Sequence, residues 1–95
     1  MGKKIYISIP ITGHDIEKQK RKAEQIKKEI PNSVSPFDIV EDNGQSYGYF
    51  MGKDIEYLLD CCDTVYFCDG WKKSRGCILE YCAAKIYGLK ILFEK

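Results

Sequence analysis

Four short runs rich in β-branched and aromatic residues alternate with helix-patterned segments along this chain. Residues 4–9 (KIYISI) have the composition of a buried strand. Pro10 and Gly13 end it, and Asp15 is a good N-cap for the segment that follows. Ile16, Ala23, Ile26 and Ile30 recur at helical spacing with charges between them, which predicts an amphipathic helix over 16–30, stopped by Pro31-Asn32. Residues 34–37 are expected to form a short second strand weakened by Pro36, and residues 38–46, with Asn43-Gly44, a loop. Met51, Ile55, Leu58, Leu59 and Cys62 mark a second helix over 47–62. Residues 64–68 are a third strand, 69–76 a loop and 77–87 a third helix. Only Glu80 and Lys85 carry charge in that helix, so it is expected to be mostly buried. Gly88 suits the position just past a helix end, and residues 89–93 supply the fourth strand.

Alternation of this kind with short connections implies a parallel sheet covered on both faces. Right-handed crossovers leave few topologies. The expectation is an α/β fold, a flavodoxin-like or Rossmann-like three-layer sandwich, with a four-stranded parallel sheet of order 2-1-3-4 and three helices. A length of 95 residues allows one domain with a thin core.

The charge balance excludes some partners. Fifteen Lys and Arg stand against 14 Asp and Glu, a net charge of +1, whereas a nucleic-acid polymer usually meets a strongly basic domain. The basic stretch 18–28 is flanked and interrupted by Glu17, Glu24 and Glu29, so it reads as a solvated helix face rather than a phosphate patch. No apolar run approaches a membrane span, and the first one is short and broken by Pro10, so a cytoplasmic location is expected. Cys61, Cys62, Cys68, Cys77 and Cys82 are odd in number and contain no Cys-x-x-Cys, and the single His14 is distant. They read as reduced core residues, with neither a disulfide framework nor a metal site, and no cofactor is expected.

In open α/β sheets, ligands bind beyond the carboxyl ends of the strands, where the strand order reverses. The first such turn is Pro10, Ile11, Thr12 and Gly13, which is neither a Walker loop nor a dinucleotide fingerprint. The turn after the third strand carries Asp69 and Trp71 and ends in Ser74-Arg75-Gly76. Its hydroxyl, guanidinium and helix-start N–H groups suit an anion, although Ser74 or Gly76 could equally cap the helix. Glu80 could be a capping-box or macrodipole partner. However, a carboxylate in an apolar helix needs a reason, and Ala83 and Ala84 leave room beside it. Asp54 flanks the apolar stripe between Met51 and Leu58, either as a boundary residue or as a site acid. Asp63 reads as structural, at the start of the third strand. Two carboxyls in unlike environments at one cleft can perform acid–base and nucleophilic work on a glycosidic bond.

The run from Tyr6 to Gly13, then Tyr49-Phe50-Met51 with Asp54-Ile55, then Cys62-Asp63, then Trp71 to Gly76 with Leu79-Glu80 and Ala84, then Gly88-Leu89, resembles the DUF4406 family. The resemblance covers essentially the whole chain. Through Tyr6, the turn after it, Asp54 and the Ser-x-Gly-x-x-x-Glu run from Ser74 to Glu80, the chain is also similar to nucleoside 2-deoxyribosyltransferases and 2′-deoxynucleoside 5′-monophosphate N-glycosidases. That likeness implies one domain of this kind over residues 1–95, acting on the base–(deoxy)ribose bond of a small nucleoside or nucleotide. It implies Glu80 as the nucleophile, Asp54 as the acid assisting departure of the base, and Tyr6 as the group orienting Glu80. It also implies Ser74 at a phosphate-binding position, Arg75 as added charge and Gly13 as a close-approach turn. Ser8, Pro10, Ile11, Thr12, Asp69, Trp71 and Gly76 complete the expected substrate contacts.

The characterised enzymes are longer, and residues of a neighbouring subunit commonly complete their sites. This chain ends at Lys95, directly after its fourth strand. The expectation is a cleft open on one side and closed by a homodimer or higher homo-oligomer. The alternative is a non-catalytic nucleotide-binding module in which Glu80 binds ribose hydroxyls. A protein-interaction role would rest on the cluster Tyr47-Gly48-Tyr49-Phe50.

Overall fold

A computed structural model describes residues 3–39 and 44–95. Strand β1 (Lys4–Ser8) leads through helix α1 (Ile16–Glu29) to β2 (Ser33–Val34). A short helix α2 (Pro36–Ile39) and the longer α3 (Tyr47–Cys61) precede β3 (Cys62–Phe67). A 3-10 turn (Trp71–Lys73) and α4 (Arg75–Ile86) connect β3 to β4 (Lys90–Phe93). The strands form one sheet of order β2-β1-β3-β4, and every pairing is parallel. Fold class and strand order are therefore as the alternation predicts.

Alternating side chains on β1 divide the core in two. Ile7 and Ile9 pack with Ala23 and Ile26 of α1 on one face. Tyr6 packs with Val65 and Phe67 of β3, Leu58 of α3 and Ala84 of α4 on the other. Local chemistry fixes the helix ends. Asp15 caps α1 by accepting from the N–H groups of Glu17 and Lys18. Ser46 caps α3 by accepting from Tyr49 N–H at 3.1 Å. Gly88 takes the left-handed conformation (φ 70°) that ends α4 and turns the chain into β4.

Three expectations are corrected. The second strand is only Ser33–Val34, and Pro36 opens α2 instead of sitting in the sheet. Proline at a first helical position has no donor to lose. Ser35 N–H donates to the Asp38 carboxylate at 2.9 Å, the reciprocal arm of a capping box, so Asp38 belongs to this helix and not to a loop. Asn43, expected in a turn with Gly44, lies outside the described residues.

The second correction concerns α4, which is apolar but not mostly buried. Cys77, Glu80 and Ala84 face the core, while Ile78, Leu79 and Ile86 face outward, Ile86 being 76% exposed. The sheet, the flank of α3 and the 3-10 turn, whose Trp71 stacks on Tyr81, cover only part of it in so small a sandwich. Between α3 and α4 runs a groove of about 540 Å³, lined by Met51, Ile55, Leu59, Leu79, Ala83 and Ile86 among others. The third correction concerns the cysteines: Cys62, Cys68 and Cys77 are buried, but Cys61 and Cys82 are exposed, and all five are free thiols.

Candidate functional site

Tyr6 and Ser8 stand two residues apart on β1, so their side chains share one sheet face. Both meet Glu80. Tyr6 Oη donates to Glu80 Oε2 and Ser8 Oγ donates to Glu80 Oε1, each at 2.6 Å. This is the length of a charge-assisted O–H···O⁻ bond. Glu80 is 3% exposed and lies in the second turn of α4. Ser74 caps that helix by accepting from Cys77 N–H at 3.3 Å. The N3 position is therefore Cys77, and Glu80 is neither the capping-box glutamate nor a first-turn macrodipole partner. Asp54 of α3 is 6% exposed and close enough to the Tyr6 hydroxyl and Glu80 to perturb both.

The electrostatics follow from burial. Burial pushes the Glu80 carboxyl up to about 8; the Ser8 and Tyr6 hydroxyls offset part of the rise and the Asp54 charge adds to it. Burial also raises Asp54 to about 7, with partial relief from the Tyr6 hydroxyl. Tyr6 is driven well above its ordinary range by burial and by the two carboxylates, so it remains a phenol and a fixed donor. The two carboxyls together hold or release a proton near neutral pH, as a pair rather than as independent groups. The Tyr6 hydroxyl donates its hydrogen bond to Glu80 and relieves the burial of Asp54 only in part.

The remaining predicted contacts divide. The turn at Ile11–Gly13 lies at the carboxyl end of β1, with Thr12 and Gly13 exposed. It is closed by His14 N–H donating to Ile11 O at 3.0 Å, and Gly13 takes φ 82°. Pro10 meets the turn after β3, since a Cβ built on Gly70 would lie 3.8 Å from Pro10 Cγ. The two turns therefore converge on one sheet edge, as expected. Ser8 is 0% exposed and bonded to Glu80, so its hydroxyl is not a free substrate contact. The Ser74 hydroxyl is committed to its cap, with Arg75 exposed beside it.

Trp71 is drawn into an aromatic cluster, stacked on Tyr81 at 4.8 Å and on Phe93 at 5.6 Å between ring centroids. With Asp69, Lys72, Lys73 and Phe93 it lines a groove of about 520 Å³ that does not include the carboxyls. Glu80 is 3% exposed in the single chain, and side chains of α3 pack over the start of α4. A Cβ on Gly76 would stand 3.2 Å from Met51 Sδ and 3.3 Å from Tyr47 Oη. The missing side chain at Gly76 is what lets these two residues settle over the start of α4. Gly76 is thus a packing residue, a role that its place beside Ser74 and Arg75 concealed.

Among the described residues, no group of three or more His, Cys, Asp or Glu could hold a metal ion. No helix among them is long and apolar enough to cross a membrane.

A family model described as a domain of unknown function (DUF4406) matches residues 3–93. No curated protein and no solved structure matches. The match spans nearly the whole chain, and the chain belongs to the DUF4406 family.

Proposed function

We propose that this DUF4406 chain is an N-glycosyl hydrolase or transferase acting on the base–(deoxy)ribose bond of a small nucleoside or nucleotide. The observation that carries the reading is the buried pair Glu80 and Asp54, with Glu80 held at both oxygens by Tyr6 and Ser8. Two hydroxyl donors favour the ionised form of Glu80, the form that can attack an anomeric carbon. The pair shares a proton near neutral pH; burial holds Glu80 at about 8 and Asp54 at about 7, so the reactive arrangement, with Glu80 ionised and Asp54 carrying the proton for the departing base, is the minor one of the pair. Glu80 attacks C1′ as the C1′–N bond breaks, Asp54 gives its proton to the base, and a glycosyl ester forms on Glu80. Water then releases the sugar, or a second base takes it, with Asp54 accepting the proton of the incoming nucleophile.

Glu80 is 3% exposed, so such a substrate reaches it only when covering side chains move, and Tyr47 and Met51, which lie over Gly76 one turn before Glu80, are the candidates. The apolar groove between α3 and α4 supports a homo-oligomer, whose neighbour would cover Leu79 and Ile86. Free thiols at exposed Cys61 and Cys82 fit a cytoplasmic, reducing setting.

The test is to incubate the protein with deoxynucleoside 5′-monophosphates and nucleosides, with and without a second free base, and to follow base release. Release that disappears in Glu80→Ala is the expected result, with a glycosyl adduct on Glu80 seen by intact-protein mass spectrometry. The same burial of Glu80 favours a second reading, a nucleotide-binding module without turnover. Tight binding without base release, retained by Glu80→Ala, would establish that reading instead.

A further inference from the structure

We infer that Ser8 is a positioning residue that holds Glu80 Oε1 in place, and not a contact to substrate. The geometry stands by itself; its catalytic meaning rests on the function proposed above. A carboxylate held by one donor can still rotate about its last side-chain bond. Here Tyr6 holds Oε2 and Ser8 holds Oε1, both at 2.6 Å, and rotation would break both bonds. The donors project from one strand face two residues apart, so β1 acts as a rigid two-pronged clamp. Ser8 has one hydroxyl proton, and that proton is given to Glu80. Ser8 is 0% exposed, so a ligand could reach its hydroxyl only by displacing the acid that the ligand must meet.

The backbone of Ser8 is anchored independently of its side chain, because Ser8 O accepts from Cys68 N–H at 2.9 Å. Removing the hydroxyl therefore leaves the strand paired. The titratable groups facing Glu80 are Tyr6 from β1 and Asp54 from α3. The Cys77 thiol of α4 lies beside Ser8 and Ser74, and burial raises it, so it stays a neutral neighbour. Of these groups only the Ser8 hydroxyl is absent in Ser8→Ala, and Ser8→Thr restores it on a strand-compatible side chain.

The experiment compares wild type, Ser8→Ala, Ser8→Thr and Ser8→Cys. The first readout is a carbon-13 titration of the Glu80 carboxyl in protein carrying labelled glutamate, without substrate, with Glu80→Gln used to assign the signal. The expected result is a midpoint about one pH unit higher in Ser8→Ala, or about tenfold tighter proton binding, because a donor to the charged form has gone. Ser8→Thr should restore the midpoint, and Ser8→Cys should fall between. The second readout is base release. Ser8→Ala is expected to lose about ten- to a hundredfold in kcat with KM within about twofold, and its acid limb should move to higher pH. If KM rises while the Glu80 midpoint stays put, Ser8 touches substrate and the inference is wrong. The titration needs no turnover, so a protein that proves inactive would overturn the proposed function while leaving this inference separately decided. Should Ser8→Ala fail to fold, an unchanged midpoint in Ser8→Cys refutes the clamp and a raised one supports it.

Discussion

Replacing Glu80 with glutamine should make the protein more stable, and the gain should grow with pH. The Glu80 carboxyl rises from its ordinary 4.5 to about 8 in the fold. Its folded-state value lies above its unfolded one, so ionisation is easier in the unfolded chain. Stability contributed by the neutral form is fully present below about pH 4.5 and is lost as the pH climbs through about 8. At about 1.4 kcal/mol per unit, the loss is on the order of 5 kcal/mol, reduced by whatever water and relaxation recover. A small domain has roughly 5–15 kcal/mol in all. Even 2 kcal/mol would move Tm by about 8–16 °C in a chain of this size.

Glutamine is the right probe for this effect. Its amide donates and accepts as a protonated carboxyl does, so both Tyr6 and Ser8 retain a partner. Asp54 remains in both proteins, and its own rise to about 7 contributes a common downward slope. The assay is thermal unfolding by circular dichroism from pH 5 to pH 9, with urea titrations at the two ends. Wild type and Glu80→Gln should melt closest together at pH 5, separate steadily as the pH rises and level off above about pH 8, with the variant higher. A difference that stays constant with pH, or a wild type that gains on the variant at pH 9, would refute the reasoning, since the buried charge would then carry no cost.

Asp54→Asn should slow base release most for substrates whose departing base needs protonation, and should lower the Glu80 midpoint by removing a neighbouring negative charge, as read by the same carboxyl titration. Gly76→Ala sets a helix-propensity gain of about 0.5–1 kcal/mol against a 3.2 Å approach to the flexible Met51 Sδ, so urea unfolding should change by no more than about 1 kcal/mol, and adding Met51→Ala should shift the balance of the alanine substitution toward stability. If the proposed homo-oligomer forms through α4, Ile86→Glu should yield monomers in size-exclusion chromatography and leave unfolding of the monomer little changed, since Ile86 is 76% exposed in the single chain. Asp38→Asn should cost no more than about 1 kcal/mol near neutral pH, where the Lys27 ion pair at 2.9 Å is partly solvated. Because Lys27 and the Ser35 donors hold Asp38 below its ordinary range, that small contribution should vanish as pH falls below 4.

The strands were legible where composition and alternation agreed. Residues 4–9 and 64–68 carry β-branched and aromatic side chains bounded by turn formers, and both became the central pair of the sheet. Asp15 and Gly88 announced helix ends because capping depends on neighbours along the chain. Pro36 misled because the same residue that weakens a strand also opens a helix, and the choice depended on Asp38 reaching back to Ser35. Scarcity of charge in α4 predicts burial, but so small a domain has too little neighbouring surface to cover the helix, and Leu79 and Ile86 face solvent. Glu80 stood out as a carboxylate in an apolar helix, but its bond to Ser8 joins residues 72 positions apart and depends on side-chain direction. Gly76 was likewise hidden, since nothing local reveals that Met51 comes to rest on it.

The two hydroxyls on β1 also bear on how the sheet finds its register. Side chains alternate along a strand, so a slip of one residue would turn Ile7 and Ile9 toward α4 and send Tyr6 and Ser8 to the α1 side. Glu80 would then be buried against hydrocarbon with no donor, a penalty of several kcal/mol on an already thin core. An apolar residue at position 80 would tolerate either pairing far more evenly. Glu80 thus makes the misaligned sheet costly, and Glu80→Leu should leave β1 amides with broadened or doubled NMR signals, whereas a single sharp set would show that hydrophobic packing alone sets the alignment. A carboxyl that strains the native state at high pH is, in this sense, also what keeps the native pairing apart from its nearest competitor.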